Sequence, residues 1–143
     1  MVASTVALSP PSQSSIVAYV KKSVINQRAD IVETLDAVRY ASINNMIPYY
    51  WTDVLTELEL IQKICESKPV IVLRGWMLNN GERDGGHYVV IYKVQFTATG
   101  VRFRIRDPWP VNTGATHTWT YNEIVNGRST GMDTGLWEAS ITR

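Results

Sequence analysis

The hydrophobic pattern changes near Pro69, and this change constrains the fold more than any other feature of the chain. Before it, apolar residues recur every three or four positions, as at Ile31, Leu35 and Val38, which is typical of amphipathic helices. After it, short apolar or alternating runs are separated by turn residues, which is typical of strands. Helices first and strands second predict an α+β fold with an antiparallel sheet, not an alternating α/β fold.

The helical part carries two recognisable start signals. Asp30, with Glu33 three residues later, predicts the beginning of one helix. Thr52 is expected to cap another helix. The apolar stripe expected on that second helix comprises Val54, Leu58, Ile61 and Cys65. These patterns predict a helical N-terminal half.

The part after Pro69 contains five predicted strands: PVIVLRGW, HYVVIYKVQF, VRFRIRD, ATHTWTY and LWEASIT. Thr97–Gly100 is expected to be the turn of a hairpin between the second and third of them. In the third, one face would carry Val101, Phe103 and Ile105, and the other face three arginines.

Counting back from this turn brings His87 close to Asp107 or its neighbours on the partner strand, with the register open by about two residues. A carboxylate that accepts a hydrogen bond from one imidazole nitrogen fixes the tautomer and leaves the other nitrogen to act as a base or acid. Gly85 and Gly86 would leave room for a substrate chain beside the histidine. A purely structural His–Asp contact at the rim of a sheet is an equal alternative.

Composition narrows the classes of function. The chain has 143 residues and a net charge of +1, which predicts a single domain and gives no electrostatic case for nucleic acid or an anionic membrane. No apolar run approaches the ~20 residues of a membrane helix. Cys65 is the only cysteine, and the two histidines lie thirty positions apart, so we expect no disulfide, metal site or cofactor. The compartment stays open between a cytoplasmic and an exported protein.

The order and spacing of PVIVLRGW, GGHYVVIYKV, VRFRIRDPWP and GLWEASITR resemble the second half of a papain-like cysteine peptidase. The nearest branches are the bacterial double-glycine peptidase-like proteins and the effector proteases of plant pathogens. The resemblance covers residues 30–143. It implies one papain-like domain, with a helical half at 1–67 that is incomplete at its N-terminus. Those helices would pack on a twisted antiparallel sheet half at 68–143.

Residue by residue, the resemblance makes His87 the general base and Asp107 the acid that orients it. Trp76 falls where the strand leaves towards the cleft, and Trp109 follows the aspartate. With Gly85 and Gly86 they are the candidate substrate-cleft residues, although packing under a loop is the favoured role of each tryptophan. Trp119 and Trp137 are expected to be core or rim aromatics, and His117 is expected to be a surface histidine without a partner. The implied partner is a peptide or protein substrate.

The nucleophile of the family is missing from its expected place. In that family a cysteine begins the first long helix, a tryptophan follows it, and a glutamine precedes it; the chain has neither the cysteine nor the glutamine there. Cys65 is a poor substitute, because it is expected at the C-terminal end of a helix on the apolar stripe, whereas a nucleophilic thiolate is favoured at a helix N-terminus. Ser12, Ser14 and Ser15 are expected to be ordinary helix caps. The chain alone is therefore expected to have no peptidase activity.

The sequence leaves three candidate functions, in decreasing order of preference. The first is a cysteine peptidase whose glutamine and cysteine lie upstream of Val2 or on a companion segment. The second is a pseudopeptidase that binds peptides without hydrolysing them. The third is an unrelated α+β interaction domain in which His87 and Asp107 are only structural.

Overall fold

A computed structural model describes residues 31–41, 49–77, 80–110, 113–127 and 135–143. The chain forms two compact units, residues 1–51 with Arg143 and residues 52–142. In the described part, no helix combines the length and apolar character needed to span a membrane. The predicted caps at Ser12, Ser14, Ser15 and Asp30 fall outside the described residues.

In the first unit, helix α1 spans Ile31–Ala41. Leu35 and Val38 are buried, as the helical spacing predicts. At the last turn, the Arg39 side chain donates from Nε to the carbonyl oxygen of Tyr49 at 3.0 Å. This contact ties the end of the helix to the segment that precedes the first strand.

In the second unit, five of the described strands form an antiparallel sheet in the order β6-β2-β3-β4-β5. The prediction of an α+β fold is therefore confirmed at this level. The strands are β1 (Tyr50–Thr52), β2 (Val70–Met77), β3 (Arg83–Thr97), β4 (Gly100–Asp107), β5 (Ala115–Trp119) and β6 (Leu136–Thr142). Strands β2 to β6 lie wholly within the second unit.

Helix α2 spans Glu57–Cys65 and begins four residues later than predicted. Thr56 caps it: its hydroxyl accepts from the Glu59 N–H at 3.3 Å, and the Glu59 carboxylate accepts from the Thr56 N–H at 2.8 Å. This reciprocal pair satisfies two N-terminal donors at once. Thr52, the predicted cap, instead belongs to β1.

The later start also changes which face of α2 is buried. Leu60 and Ile64 are buried one turn apart, whereas Leu58 is 74% exposed and Cys65 is exposed. The predicted stripe of Val54, Leu58, Ile61 and Cys65 is therefore wrong, and only Ile61 among them packs against the core.

A short helix, α3 (Tyr121–Asn126), follows β5. The strand ATHTWTY predicted from the sequence extends to Tyr121, and no helix was predicted here. Thr120 and Glu123 form another capping box, so the chain turns out of the sheet immediately after Trp119. Ile124 of this helix is fully buried.

The hairpin of β3 and β4 has the predicted turn, with Thr97 paired to Gly100. The register shifts once, between Ile91 and Lys93, where β3 contains one extra residue, Tyr92. Such a bulge places two residues of one strand opposite one residue of the other.

One face of the sheet in the second unit forms the core, covered by α2 and α3. Its residues alternate along each strand, since successive side chains point to opposite faces. The core cluster comprises Leu55, Leu60, Ile64, Val70, Val72, Val89, Ile91, Phe103, Ile105, Trp119, Ile124 and Trp137. Trp119 and Trp137 are thus core aromatics, as expected.

Candidate functional site

The polar residues of the candidate site continue the core face towards one end of the sheet. Arg74 is paired directly with His87 across β2 and β3, and Asp107 ends β4 opposite Ala115 of β5. Each lies an even number of positions from a core residue of its own strand, so each side chain points to the core face. The helices cover the apolar part of this face, and the polar end remains accessible.

The His87 imidazole and the Asp107 carboxylate are joined by a hydrogen bond, with Nε2 and Oδ1 2.5 Å apart. Their side chains are 22% and 14% exposed. Because an ionised carboxylate can only accept, Nε2 carries a proton, and in the neutral ring Nδ1 holds the lone pair. The predicted contact between these two residues is confirmed.

Asp107 has two further partners. Its Oδ1 also accepts from the backbone N–H of Trp109 at 2.8 Å. Its Oδ2 lies 3.6 Å from Nε2 of His117 on β5. The carboxylate therefore contacts two imidazoles, one through each oxygen.

Aromatic rings hold both imidazoles in place. His87 stacks on Trp76 with ring centroids 5.7 Å apart and planes 9° from parallel. His117 stacks on Trp119 with centroids 5.0 Å apart and planes 16° from parallel. Stacking restricts rotation of the two rings, so their nitrogens keep a fixed direction relative to the carboxylate.

Arg74 is a buried cation beside these groups, only 2% exposed. Its Cζ lies 4.5 Å from the centroid of the Trp119 ring, and Nη2 donates to the Gly135 carbonyl oxygen at 2.6 Å. A guanidinium over an indole face is a favourable cation–π arrangement, strongest where water is excluded.

These side chains surround a pocket of about 610 Å³. The size falls within the usual range for small-molecule sites. The described lining consists of Arg74, Trp76, His87, Asp107, Trp109, Pro110, Ala115 and His117.

Several predicted residues occupy other environments than expected. Trp76 and Trp109 are 40% and 64% exposed and line the pocket, so the favoured expectation that they pack under a loop was wrong. Gly85 and Gly86 are not in the described lining; they lie near the start of β3, where Gly85 is buried with φ 120°.

His117 was wrongly expected to have no partner. The sequence signal was its position in β5, two residues from Ala115. Once Ala115 pairs with Asp107, His117 is a diagonal neighbour of the aspartate, within reach of a long side chain. This neighbour relation follows only from the pairing of β5 with β4, and the sequence between the two strands does not predict that pairing.

Cys65 does not line the pocket in the described part of the chain. It ends α2, five residues before Val70, which pairs with Ile91. His87 lies four residues from Ile91 along β3, a distance of about 13 Å at the rise of a strand.

Within the described residues, no group of three His, Cys, Asp or Glu side chains could hold a metal ion.

Comparison with known proteins gave no assignment: no protein-family model matches the sequence, and no curated protein matches it.

Proposed function

We propose that this chain carries the histidine–aspartate part of a papain-like cysteine peptidase domain and binds a peptide or protein segment in the pocket beside it. The observation that carries the proposal is the hydrogen bond from His87 Nε2 to Asp107 at the pocket wall. This hydrogen bond leaves Nδ1 of His87 as the nitrogen that can accept a proton. Nδ1 has no hydrogen-bond partner among the described residues.

This arrangement matches the needs of acyl transfer. A general base must accept a proton from the nucleophile and later give it to the leaving amine, and an orienting carboxylate stabilises the imidazolium between these steps. His87 has the acceptor nitrogen, and Asp107 is already seated on the opposite nitrogen. The stack on Trp76 keeps the ring from turning away.

The pocket supplies binding as well as acid–base groups. Trp76 and Trp109 expose aromatic surface at its edge. Aromatic side chains give large contact area at low entropic cost, which suits recognition of a peptide.

The nucleophile remains the missing part of this proposal. Cys65 is the only thiol of the sequence, and it is absent from the described pocket lining. Without a nucleophile, His87 and Asp107 cannot form a covalent acyl intermediate. The chain alone therefore binds peptides and does not hydrolyse them.

A pseudopeptidase is the second candidate function, favoured by the same position of Cys65. The two candidates agree on peptide binding and differ on whether a cysteine is supplied by another segment. The third candidate, an unrelated interaction domain, requires no role for His87 in binding.

The test measures peptide binding and peptide cleavage by the purified chain. A mixed library of short peptides is screened by tryptophan fluorescence and calorimetry, and the same mixtures are analysed by mass spectrometry. We expect binding without cleavage, weakened about tenfold (about 1.4 kcal/mol) by Trp76→Ala or His87→Ala. Thr118→Ala is the matched control, because Thr118 is exposed and lies next to His117 on the opposite face of β5.

The outcomes separate the candidates. Binding that is equal in the wild type and both pocket variants, or no binding at all, would overturn the proposal in favour of an unrelated domain. Cleavage that His87→Ala abolishes would show that a nucleophile is present after all. A thiol-directed epoxide inhibitor, followed by intact mass, should label Cys65 no faster than a free cysteine.

A further inference from the structure

We propose that the face of the sheet opposite the pocket is a docking surface for an acidic polypeptide segment in an extended conformation. This basic face is formed by Lys93, Arg104 and Arg106, with Thr116 and Thr118 beside them on β5. Lys93, Arg106 and both threonines are exposed. Because the basic face and the pocket lie on opposite sides of the sheet, the inference does not rest on the proposed function.

The strand register brings the three cations together. Arg104 and Arg106 flank Ile105, which is fully buried in the core, so their side chains point away from the core face. Lys93 on β3 is paired directly with Arg104, which places their Cβ atoms about 4.5–5.5 Å apart. Arg106 follows Arg104 at about 7 Å along β4. The three residues therefore form one cluster of positive charge.

The charge of this cluster is not balanced within the described part of the chain. Arg102, the preceding arginine of β4, lies 4.0 Å from the Glu123 carboxylate. Among the residues that the structure describes, no carboxylate lies within ion-pair distance of Lys93, Arg104 or Arg106. The net charge of the whole chain is only +1, so the cluster is a local feature and not a result of composition.

The cluster is unfavourable for the folded chain alone. Like charges directly opposite each other on neighbouring strands destabilise a sheet, as Lys93 and Arg104 do here. Nε of Arg104 is also buried and has no hydrogen-bond partner among the described residues, which is a further cost. A bound anion would offset the repulsion between the cations.

The geometry of the arginines suits carboxylates at a regular spacing. Cζ of Arg106 lies 4.9 Å from the centroid of the Tyr92 ring. A guanidinium that stacks on a ring keeps the N–H groups of its edge in one plane, where a carboxylate can accept two of them. Alternate side chains of an extended peptide repeat at about 7 Å, the same spacing as Arg104 and Arg106. The surface therefore fits a segment with an acidic residue at every second position.

The surface fits a polypeptide better than a nucleic acid. Sites for single strands combine cations with aromatic rings on which the bases stack, but here the guanidinium of Arg106 lies over the ring of Tyr92. The neighbours of the two arginines on β5 are Thr116 and Thr118, whose hydroxyls can bond to a peptide backbone. Duplex DNA typically requires about 6–10 phosphate contacts, more than this cluster supplies.

The experiment titrates the ¹⁵N-labelled full chain with a short peptide of alternating glutamate and threonine. Amide chemical shifts locate the contact, and fluorescence anisotropy of the labelled peptide gives the Kd. We expect shifts at Arg104, Arg106, Thr116 and Thr118, and none at His87. The Kd should rise several-fold when the ionic strength is raised from about 0.05 to 0.5 M, because exposed charges are screened by salt. The same peptide with glutamine in place of glutamate should not bind.

Substitutions separate docking from ordinary exposure. Arg106→Gln should weaken binding about three- to fivefold, the effect of one exposed ion pair. Lys63→Gln is the matched control, because it removes the same charge from α2, which covers the opposite face. Lys93→Glu should weaken binding more than Lys93→Gln does, and yet it should raise the midpoint of chemical denaturation, because it places a carboxylate opposite Arg104.

No binding of the alternating peptide, or an equal effect of Arg106→Gln and Lys63→Gln, would overturn the inference. Equal affinity for a peptide of the same composition with consecutive glutamates would also overturn it, and so would tighter binding of a single-stranded oligothymidylate of the same charge. Should Arg106→Gln fail to fold, Lys93→Gln decides, because Lys93 is exposed.

The pocket variants separate this inference from the proposed function. Trp76→Ala and His87→Ala should bind the acidic peptide as the wild type does, and its loss in both would place the contact at the pocket and overturn the inference. Binding of the acidic peptide without any binding in the pocket would leave the inference standing and overturn the proposed function.

Discussion

Replacement of Asp107 by alanine tests the central contact of the site directly. The substitution leaves the Nε2–H of His87 and the N–H of Trp109 without their acceptor, and it removes the contact between Oδ2 of Asp107 and Nε2 of His117. His87 should then populate both neutral tautomers, because no carboxylate selects the Nε2–H form. The change affects stability as well as the state of the imidazole.

The expected loss of stability follows from the solvent exposure of the hydrogen-bonded groups. A hydrogen bond to a charged group contributes about 1.5–3 kcal/mol net when it is buried. The Asp107 side chain is 14% exposed and that of His87 22%, so this bond should retain most of its value. Trp109 is 64% exposed, and its N–H can bond to water instead. We therefore expect Asp107→Ala to lower the free energy of unfolding by about 2–3 kcal/mol.

Chemical denaturation followed by tryptophan fluorescence measures this loss, and ¹⁵N NMR measures the tautomer of His87. Asp107→Asn is the graded variant, since its remaining amide oxygen can accept one of the bonds, and about half the loss is expected. Asp53→Ala is the control, because Asp53 is exposed and accepts from Ser140 through its backbone carbonyl. A loss below about 0.5 kcal/mol in Asp107→Ala with an unchanged tautomer would refute the reasoning, because surface substitutions alone have effects of that size.

Two further predictions concern residues that stabilise the fold outside the site. Hydrogen bonds from the backbone N–H and the hydroxyl of Thr56 lower the pKa of Glu59 below its ordinary 4.5, so this stabilisation is complete above that value and is lost as the pH falls through the folded-state pKa. Thr56→Ala should lower the free energy of unfolding by about 1 kcal/mol near neutral pH. When denaturation is repeated at about pH 3, the variant should lose less stability between the two pH values than the wild type does. An equal loss of stability in both proteins would contradict this. Gly75→Ala would put a Cβ 1.8 Å from Oε1 of Glu138, so a loss of about 1–3 kcal/mol in thermal or chemical denaturation is expected. Adding Glu138→Ala should recover part of that loss, and no recovery would show that the backbone rather than the carboxylate is the obstacle.

The strands were predictable because their signal is local. Alternation along VRFRIRD places Phe103 and Ile105 on one face, and both are fully buried. The turn at Thr97 and Gly100 follows from the residues themselves. The contact of His87 with Asp107 could be inferred because only one tight hairpin separates them.

The helix register and the second histidine were missed for different reasons. Thr52 and Thr56 both look like caps, but only Thr56 has an acidic residue three positions later, a signal that the sequence did contain. His117 depended on how β5 pairs with β4 across residues 108–114. Such pairing is set by the whole sheet, so no short window of sequence reveals it.

The extra residue at Tyr92 decides which side of the sheet His87 faces relative to Asp107. If the pairing of Thr97 with Gly100 continued without interruption, Asp107 would fall opposite Val90, on the far side from His87. The shift past Ile91 and Lys93 moves the aspartate opposite Val89 instead, and Val89 and His87 share one side. An odd number of insertions or deletions in this stretch would turn one of the two side chains to the opposite face of the sheet and so part the two groups. Whether the number of residues between the turn and the histidine is odd or even is thus as much a requirement of the site as the histidine itself.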